Sequence, residues 1–310
     1  MKPTYKKDIY SDSPFFKYGS RLVYGTSGLG GVWGEVNEEE SIECLIYAFE
    51  NDIKSVDTSP SYNRSEEFVG KALKRWNGDM PFISTKVGRL PAEKADECYV
   101  DYSEKSMRQS LMRSLDKLNL HQVDLLFLHE PHLVPLSDIE QILDTLRLFV
   151  GEGLTRMVGI GGNPTDEFRK YVLKDNFDVV SGFLKVDGCN LTGFDRDIPK
   201  INTEGIAYYA ASSLHMSLLG NRFEKYVRER PDNEWITNQD VDNAIKIKKI
   251  ADREDMKIST LAQRFLFSIN EADRIVMGAR NIGQIQSTIE DWRMGALPEE
   301  LFNEITETIR

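Results

Sequence analysis

The sequence contains few cysteines, and those present form no recognisable pattern. Cys44, Cys98 and Cys189 are odd in number and widely spaced, whereas disulfide frameworks and cysteine-rich zinc sites use paired spacings. The first residues carry no charged-then-apolar leader, and no apolar run approaches the length that spans a bilayer. We therefore expect a protein of the reducing cytoplasm that does not enter the membrane.

Positive charge is also scarce. Lys and Arg number 39 against 50 Asp and Glu, which gives a formal net charge of -11 and disfavours a nucleic-acid partner, because a phosphate backbone attracts cationic surfaces. The chain has only 4 histidines, and none falls with a carboxylate at the spacing typical of metal ligands. Neither nucleic acid nor a metal ion is expected, and the partner that fits is a small-molecule substrate.

The dinucleotide-binding glycine fingerprint is missing as well. The glycine-rich segment 28–31 reads GLGG and lacks the G-x-G-x-x-G spacing. Its absence weakens the alternative fold, a doubly wound sheet with an appended helical domain. We predict instead a loop in which the backbone approaches another group closely.

What the sequence does contain is a regular alternation of short apolar strands and amphipathic helices. Short apolar strands are expected where a parallel sheet is buried on both faces. Predicted strands lie at 21–24, 55–57, 82–86, 123–129, 157–160, 179–184, 205–209 and 275–277. The pattern predicts a single (β/α)8 barrel over residues 21–310 with closing C-terminal helices, after an arm or short hairpin at 1–20.

Polar side chains occupy the ends of three predicted strands or the loops after them. Asp57, Lys86 and His129 follow the second, third and fourth strands, and Tyr62 lies five residues after Asp57. Active sites of such barrels lie at these carboxyl ends. A Lys ammonium lowers the pKa of a nearby phenol, an Asp keeps the ammonium charged, and a His orients a substrate oxygen. Such a relay moves protons but accepts no hydride, so a hydride carrier must be bound.

These residues stand in motifs that resemble the aldo-keto reductase family. The motifs are VDTSPSY at 56–62 with Glu66, STKVGR at 84–89, DLLFLH at 124–129 and, more loosely, GAR at 278–280 with Gln284. The segment from 101 to 131 is more similar to the aldose 1-dehydrogenase branch. The resemblance implies that Tyr62 is the general acid in reduction and the base in oxidation, tuned by Lys86 and Asp57, while His129 positions the substrate oxygen.

The resemblance also implies NAD or NADP across the barrel mouth and no metal. The implied cofactor contacts are Asn163, Ser212, Leu214, Gly278, Arg280 and Gln284. A glutamine expected in the sixth strand appears as Val186, and an aromatic residue that stacks on the nicotinamide appears as Cys189. Arg280 is the one cation near the expected adenosine end, which slightly favours NAD because a 2′-phosphate usually binds more than one cation.

The predicted function is hydride transfer between NAD(P) and a sugar or small carbonyl compound, with aldose oxidation at C1 as the leading reaction. Reduction of an aldehyde or ketone is one alternative, and a catalytically weak cofactor-binding barrel that acts as a regulator or subunit is another. Trp33 and Arg89 are the candidate substrate contacts. Substrate choice is expected to depend on the segments 91–100 and 220–239, and the oligomeric state is left open.

Overall fold

Eight parallel strands close into a barrel in chain order, with β8 paired to β1. The computed structural model describes residues 1–10, 19–91 and 97–310. The strands are β1 Leu22–Gly25, β2 Ser55–Asp57, β3 Phe82–Val87, β4 Val123–His129, β5 Thr155–Gly161, β6 Val179–Phe183, β7 Ala207–Ala211 and β8 Arg274–Gly278. The predicted (β/α)8 barrel is confirmed and the doubly wound sheet is wrong.

Helices surround the barrel and complete its outer layer. Their bounds are α1 Glu38–Glu50, α2 Ser65–Arg75, α3 Glu104–Leu118, α4 Ile139–Gly151, α5 Asp197–Glu204, α6 Phe223–Glu229, α7 Asn238–Arg253, α8 Ile258–Phe267, α9 Ile282–Arg293 and α10 Glu299–Ile309. Their apolar faces and the outward side of the strands form the larger of two cores.

The structure differs from the sequence-based prediction at four places. The helix predicted at 166–174 is only a short 3-10 turn at Phe168–Tyr171. Helices α5 and α6 lie in segments that showed no clear helical pattern, because helices this short repeat their apolar spacing too few times to give a strong periodic signal. Gly205, predicted to begin the seventh strand, instead ends α5 in a left-handed conformation at φ 68°.

The barrel interior explains how the polar residues meet. A smaller core of alternating strand residues fills it: Val23, Phe82, Leu125, Phe127, Val179, Ala207, Tyr209 and Val276. Alternate residues of a strand face the same side. Lys86 therefore faces inward with Phe82 on β3, and His129 faces inward with Phe127 on β4. The apolar interior of the barrel thus gives way to polar side chains at the carboxyl ends of the strands.

The first ten residues pack against the C-terminal part of the chain. Tyr5 forms an isolated antiparallel bridge with Ile269, and its hydroxyl donates to the carbonyl of Leu297 at 2.6 Å. Residues 11–18 lie outside the described residues, so the hairpin predicted within 1–20 stays a prediction. Across the described ranges, the helices are too short or too polar to cross a bilayer.

Candidate active site

A buried ion pair joins the ends of β2 and β3. The Lys86 ammonium lies 2.7 Å from Asp57 Oδ1 and 2.6 Å from Oδ2, and it also donates to the Thr58 carbonyl at 2.8 Å. Ser84 donates to Asp57 Oδ1 at 2.8 Å. Burial lowers the pKa of Lys86, but the attraction of Asp57 outweighs it and holds that pKa above its ordinary value. Lys86 is therefore a cation inside the barrel mouth.

The loop that carries Tyr62 is fixed by hydroxyl groups. Ser65 shares a 2.9 Å hydrogen bond with Thr58 and donates to the Thr26 carbonyl at 3.2 Å. Ser65 begins α2, and serine is a residue type that often caps a helix. Arg64 occupies the N-cap position instead, without a side-chain cap bond within the described chain. The Ser65 hydroxyl instead ties the Tyr62 loop to the loop after β1.

The glycine-rich segment makes the close approach that was predicted for it. A Cβ added to Gly30 would lie 1.8 Å from the Tyr62 carbonyl oxygen and 2.9 Å from Ser65 Cβ. The Gly30 carbonyl also accepts a hydrogen bond from the Arg64 N–H at 3.2 Å. The absence of a side chain at Gly30 thus sets where the Tyr62 backbone lies.

Tyr62 faces both Lys86 and His129. The Lys86 ammonium is 4.9 Å from the centre of the phenol ring, and the Tyr62 and His129 rings meet edge-on with centroids 6.3 Å apart. Burial raises the pKa of Tyr62, and Lys86 opposes that effect without reversing it. The predicted influence of Lys86 has the expected sign, but the net lowering of the pKa is wrong. The phenol is therefore protonated at neutral pH.

His129 is buried and neutral. Burial, reinforced by the Lys86 and Arg89 cations, holds the pKa of His129 well below its usual value. Its Nδ1 atom has no hydrogen-bond partner among the residues that the structure describes. The neighbouring strand contributes Gly161, where an added Cβ would contact His129 and Lys86, each at 3.6 Å. The Gly161 contact is with Cδ2 of the ring, the carbon bonded to Nε2, and a nitrogen of a neutral imidazole can hydrogen-bond a substrate oxygen.

Arg89 is held by a residue that the sequence argument did not single out. Its guanidinium lies 2.7 Å from Glu130 Oε1 and donates to the Glu97 carbonyl at 2.7 Å. Glu130 adopts a left-handed backbone at φ 56°, and its Oε1 is 3.8 Å from His129 Nε2. The signal in the sequence was its position directly after His129, within the segment 101–131 that is similar to the aldose 1-dehydrogenase branch.

Trp33 lies in the loop after β1 and meets a second tryptophan. Its ring, 37% exposed, contacts Trp235 edge-on at a centroid distance of 6.1 Å. Burial raises the pKa of Cys98, the Arg89 charge opposes this effect, and the charges of Glu130 and Glu234 add to it. The 220–239 segment therefore borders the mouth where Trp33 and Arg89 lie. Of the segment 91–100, residues 92–96 are outside the described residues.

Among the candidate cofactor residues, Asn163 follows β5. Its Nδ2 donates to the Phe183 carbonyl at 2.8 Å and its Oδ1 accepts from the Phe183 N–H at 3.0 Å, so it also ties β5 to β6. The positions assigned to the expected glutamine and the expected stacking aromatic are wrong. Val186 lies after the end of β6 rather than within the strand, and Cys189 is fully buried beside Asp187, where it offers no stacking surface to a nicotinamide.

The remaining cofactor candidates lie after β7 and β8. Ser212 has φ 70°. Its carbonyl accepts a hydrogen bond from the His215 N–H and its hydroxyl accepts one from the Met216 N–H, and both bonds close the loop that contains Leu214. Gly278 ends β8, and an added Cβ there would meet no described atom within 4 Å. The N–H of Arg280 donates to Gln284 Oε1 at 2.8 Å. The exposed Arg280 side chain lies along the loop after β1, where it would contact a Cβ added to Gly28.

A closed parallel barrel that presents a Tyr, a buried Lys–Asp pair and a neutral His at its carboxyl end defines an oxidoreductase of the aldo-keto reductase type. Residues 21–310 match the Aldo/keto reductase family, and the chain belongs to this family. Members of the family use a nicotinamide dinucleotide, and the cofactor of this chain is NAD or NADP.

Individual relatives include sugar dehydrogenases. The chain is 28% identical to L-galactose dehydrogenase of Arabidopsis thaliana over 281 residues, covering 87% of this chain and 83% of that protein. It is 24% identical to D-threo-aldose 1-dehydrogenase of a Pseudomonas species, covering 92% and 93%. The structure of a glycerol dehydrogenase from Gluconobacter oxydans superimposes with a TM-score of 0.77 at 18% identity, covering 97% and 95%, which supports the fold.

Proposed function

We propose that this protein oxidises an aldose at its anomeric carbon, with NAD or NADP as the hydride acceptor. The observation that carries the proposal is the convergence of Tyr62, Lys86, Asp57 and His129 at one end of the barrel. Two relatives bear the names of aldose-oxidising enzymes, L-galactose dehydrogenase and D-threo-aldose 1-dehydrogenase, which supports the sugar as substrate class.

The roles of the side chains follow from their contacts. In oxidation, the Tyr62 phenolate accepts the proton of the anomeric hydroxyl while the hydride leaves C1, and the sugar becomes a lactone. Lys86 stabilises the phenolate by its charge, and Asp57 keeps Lys86 protonated. A ring nitrogen of His129 orients the reacting oxygen. The bound nicotinamide supplies the hydride-accepting ring.

The candidate cofactor residues form a site that suits an anionic dinucleotide. Arg280 is exposed and stands directly before α9, whose N–H groups favour negative charge. Gly278 leaves open space at the end of β8. Ser212, Leu214, Asn163 and Gln284 supply the polar and backbone contacts along the same rim. Arg280 is the single arginine or lysine in this set, and this favours NAD over NADP.

The test is turnover with a panel of aldoses. Purified protein is mixed with NAD+ or NADP+ and each sugar, and the absorbance of the reduced nicotinamide is followed. Production of lactone with at least one aldose is expected. Dinucleotide binding, detected by quenching of tryptophan fluorescence, without turnover of any sugar or carbonyl compound would support the catalytically weak binding protein instead.

Reduction of an aldehyde or ketone is the second candidate, favoured by one observation. Burial raises the pKa of Tyr62, so its phenol is protonated at neutral pH and ready to donate to a carbonyl oxygen. Consumption of reduced nicotinamide with small aldehydes at neutral pH, together with failure to oxidise any aldose at alkaline pH, would favour the reductase.

A further inference from the structure

A second group of buried titratable residues lies on the β6–β7 side of the barrel, apart from Tyr62. His215, Asp187 and Asp240 are at most 4% exposed. His215 Nδ1 is hydrogen-bonded to Asp187 Oδ2 at 2.7 Å. Nε2 is 3.5 Å from Asp240 Oδ2, within ion-pair distance but without a hydrogen bond among the described residues. Each ring nitrogen thus faces a carboxylate oxygen. Only the doubly protonated ring presents an N–H to both.

The electrostatics of the group favour that charged ring. Burial lowers the pKa of His215, but Asp187, with further contributions from Cys189 and Asp240, outweighs it and raises the pKa well above the ordinary value. Burial also raises the pKa of Asp240, yet the cationic ring reverses this effect and lowers it. Cys189 is the remaining titratable group that faces the ring, and burial raises the pKa of its thiol. A neutral thiol leaves the two carboxylates as the counter-charges.

The two carboxylates are themselves anchored. Asp187 Oδ1 accepts the N–H groups of Cys189 and Asn190 at 2.9 and 3.0 Å, and the Cys189 thiol at 3.3 Å. Asp240 belongs to a capping box with Thr237 at the start of α7, and its Oδ1 accepts from Asn190 at 2.9 Å. The ring therefore joins three segments: the loop after β6, the loop after β7 and the beginning of α7.

The loop after β7 needs such support because its backbone is strained. Ser212, His215, Met216 and Ser217 have φ values of 70°, 45°, 52° and 69°. Left-handed conformations are unfavourable for residues other than glycine, and they persist only when surrounding contacts impose them. The His215 ion pairs are the charged contacts of this loop with the neighbouring segments.

We propose that His215 is a positioning residue: as a cation paired with Asp187 and Asp240, it holds the loop 212–217 in the conformation that presents Ser212 and Leu214 to the phosphates of the dinucleotide. The inference rests on the proposed function, because that function places the cofactor against this loop. His215 itself touches neither substrate nor cofactor in this role.

A metal ion is the competing occupant. Asp187, Cys189 and His215 each offer one ligand atom, and these atoms lie within 4.8 Å of one another. Tertiary structure thus assembles a ligand set that the sequence spacing did not reveal. A metal would need a thiolate at Cys189 and a deprotonated Nδ1 at His215. The Asp187 carboxylate already accepts bonds on both oxygens, so the arrangement suits a proton rather than a metal.

The decisive variant is His215→Asn. Asparagine tolerates a left-handed backbone and can still donate one hydrogen bond to Asp187, but it carries no charge. His121→Asn is the control, since His121 is exposed in the turn before β4. Dinucleotide affinity is measured by quenching of tryptophan fluorescence, and hydrogen exchange of residues 212–217 is measured without cofactor. We expect the apparent Kd of His215→Asn to rise about ten-fold, which corresponds to a fall to roughly a tenth in the fraction of molecules whose 212–217 loop can bind the dinucleotide. The kcat at saturating cofactor should be largely kept.

The pH dependence of dinucleotide affinity distinguishes a charged His215 from one that only fills space in the core. Because folding raises the pKa of His215, its ion pairs are complete below the ordinary histidine pKa and are lost as pH rises through the raised value. Dinucleotide affinity of the native protein should fall across that alkaline range. The ratio of the two Kd values, His215→Asn over native, should therefore shrink towards one.

The outcomes separate the two proposals. If the native protein binds no dinucleotide, the proposed function fails, and faster exchange in residues 212–217 of His215→Asn still reports whether the ring fixes the loop. If the native protein binds and His215→Asn matches it in affinity and exchange, the positioning role is overturned. Stoichiometric zinc in the native protein that Cys189→Ser loses would also overturn it. Asp187→Asn, which removes one counter-charge at constant size, replaces His215→Asn if that variant does not fold.

Discussion

Gly30 and Tyr62 touch through their backbones, so that any side chain at Gly30 would collide with the carbonyl oxygen of Tyr62 at 1.8 Å. Gly30, in the loop after β1, thereby fixes where the Tyr62 ring lies relative to the Lys86 ammonium, which is 4.9 Å from the ring centre. The relationship links a glycine, which has no reactive side chain, to the proposed proton donor.

Gly30→Ala should impair turnover by displacing Tyr62. A misplacement of about 1 Å at a reacting group can reduce rate about 10²-fold, so we expect kcat to fall by that order. Gly151→Ala at the end of α4, where an added Cβ would meet no described atom within 4 Å, is the matched control and should leave kcat unchanged. Circular dichroism of both variants checks the fold. Full activity of Gly30→Ala would mean that the loop moves without moving the phenol.

Tyr62→Phe removes the proposed acid and base while keeping the ring. Turnover should fall about 10²- to 10⁴-fold, as is typical for loss of such a group, while dinucleotide affinity is kept. Tyr47→Phe, on helix α1, is the matched control and should behave as the native protein. Unchanged kcat in Tyr62→Phe would remove Tyr62 from its assigned role.

The pH profiles of the two reaction directions should differ. Reduction needs a protonated Tyr62, which its raised pKa provides at neutral pH, whereas oxidation needs the phenolate and should accelerate as pH rises. Lys86→Met removes the cation that opposes the effect of burial, so the rise in oxidation rate should move to still higher pH. If the pH dependence of oxidation is the same in Lys86→Met and the native protein, Lys86 does not influence the titration of Tyr62.

Asp57→Asn should destabilise the protein because it leaves Lys86 without its buried counter-ion. Breaking a buried pair costs about 3–5 kcal/mol, and the side chains of Lys86 and Asp57 are only 5% and 8% exposed. Urea denaturation measures the loss. Asp79→Asn changes an exposed side chain that pairs with Lys54 at 3.9 Å on the surface, and it should leave the unfolding midpoint almost unchanged. Equal midpoints for the two variants would contradict a charged Lys86 in the folded protein.

Arg280→Ala should weaken dinucleotide binding. Loss of one charge-assisted hydrogen bond costs about 1.5–3 kcal/mol, which corresponds to a rise in Kd of roughly ten- to hundred-fold. Arg293→Ala at the far end of α9 is the control. Equal weakening towards NAD+ and NADP+ would place Arg280 on the shared pyrophosphate or adenosine, whereas a loss confined to NADP+ would place it on the 2′-phosphate and contradict the preference for NAD.

The local pattern of apolar residues was sufficient to predict most of the fold. The strand predictions succeeded because each parallel strand is a short buried run, visible residue by residue, as in Val123–His129. Short elements such as α5 were missed because eight residues contain only about two turns. The role of Ser65 could not be predicted for another reason: its hydroxyl bonds to Thr26 and Thr58, which are not its neighbours in the chain.

The sequence by itself determined the barrel, the strands that end in Asp57, Lys86 and His129, and the inward face that they share, since strand periodicity is a local property of the chain. Only the tertiary structure decided that burial outweighs Lys86 in setting the pKa of Tyr62, and that His215 lies between Asp187 and Asp240. Both depend on which distant groups exclude water from a site and which charges then remain beside it. Those are properties of the packed molecule and not of any segment.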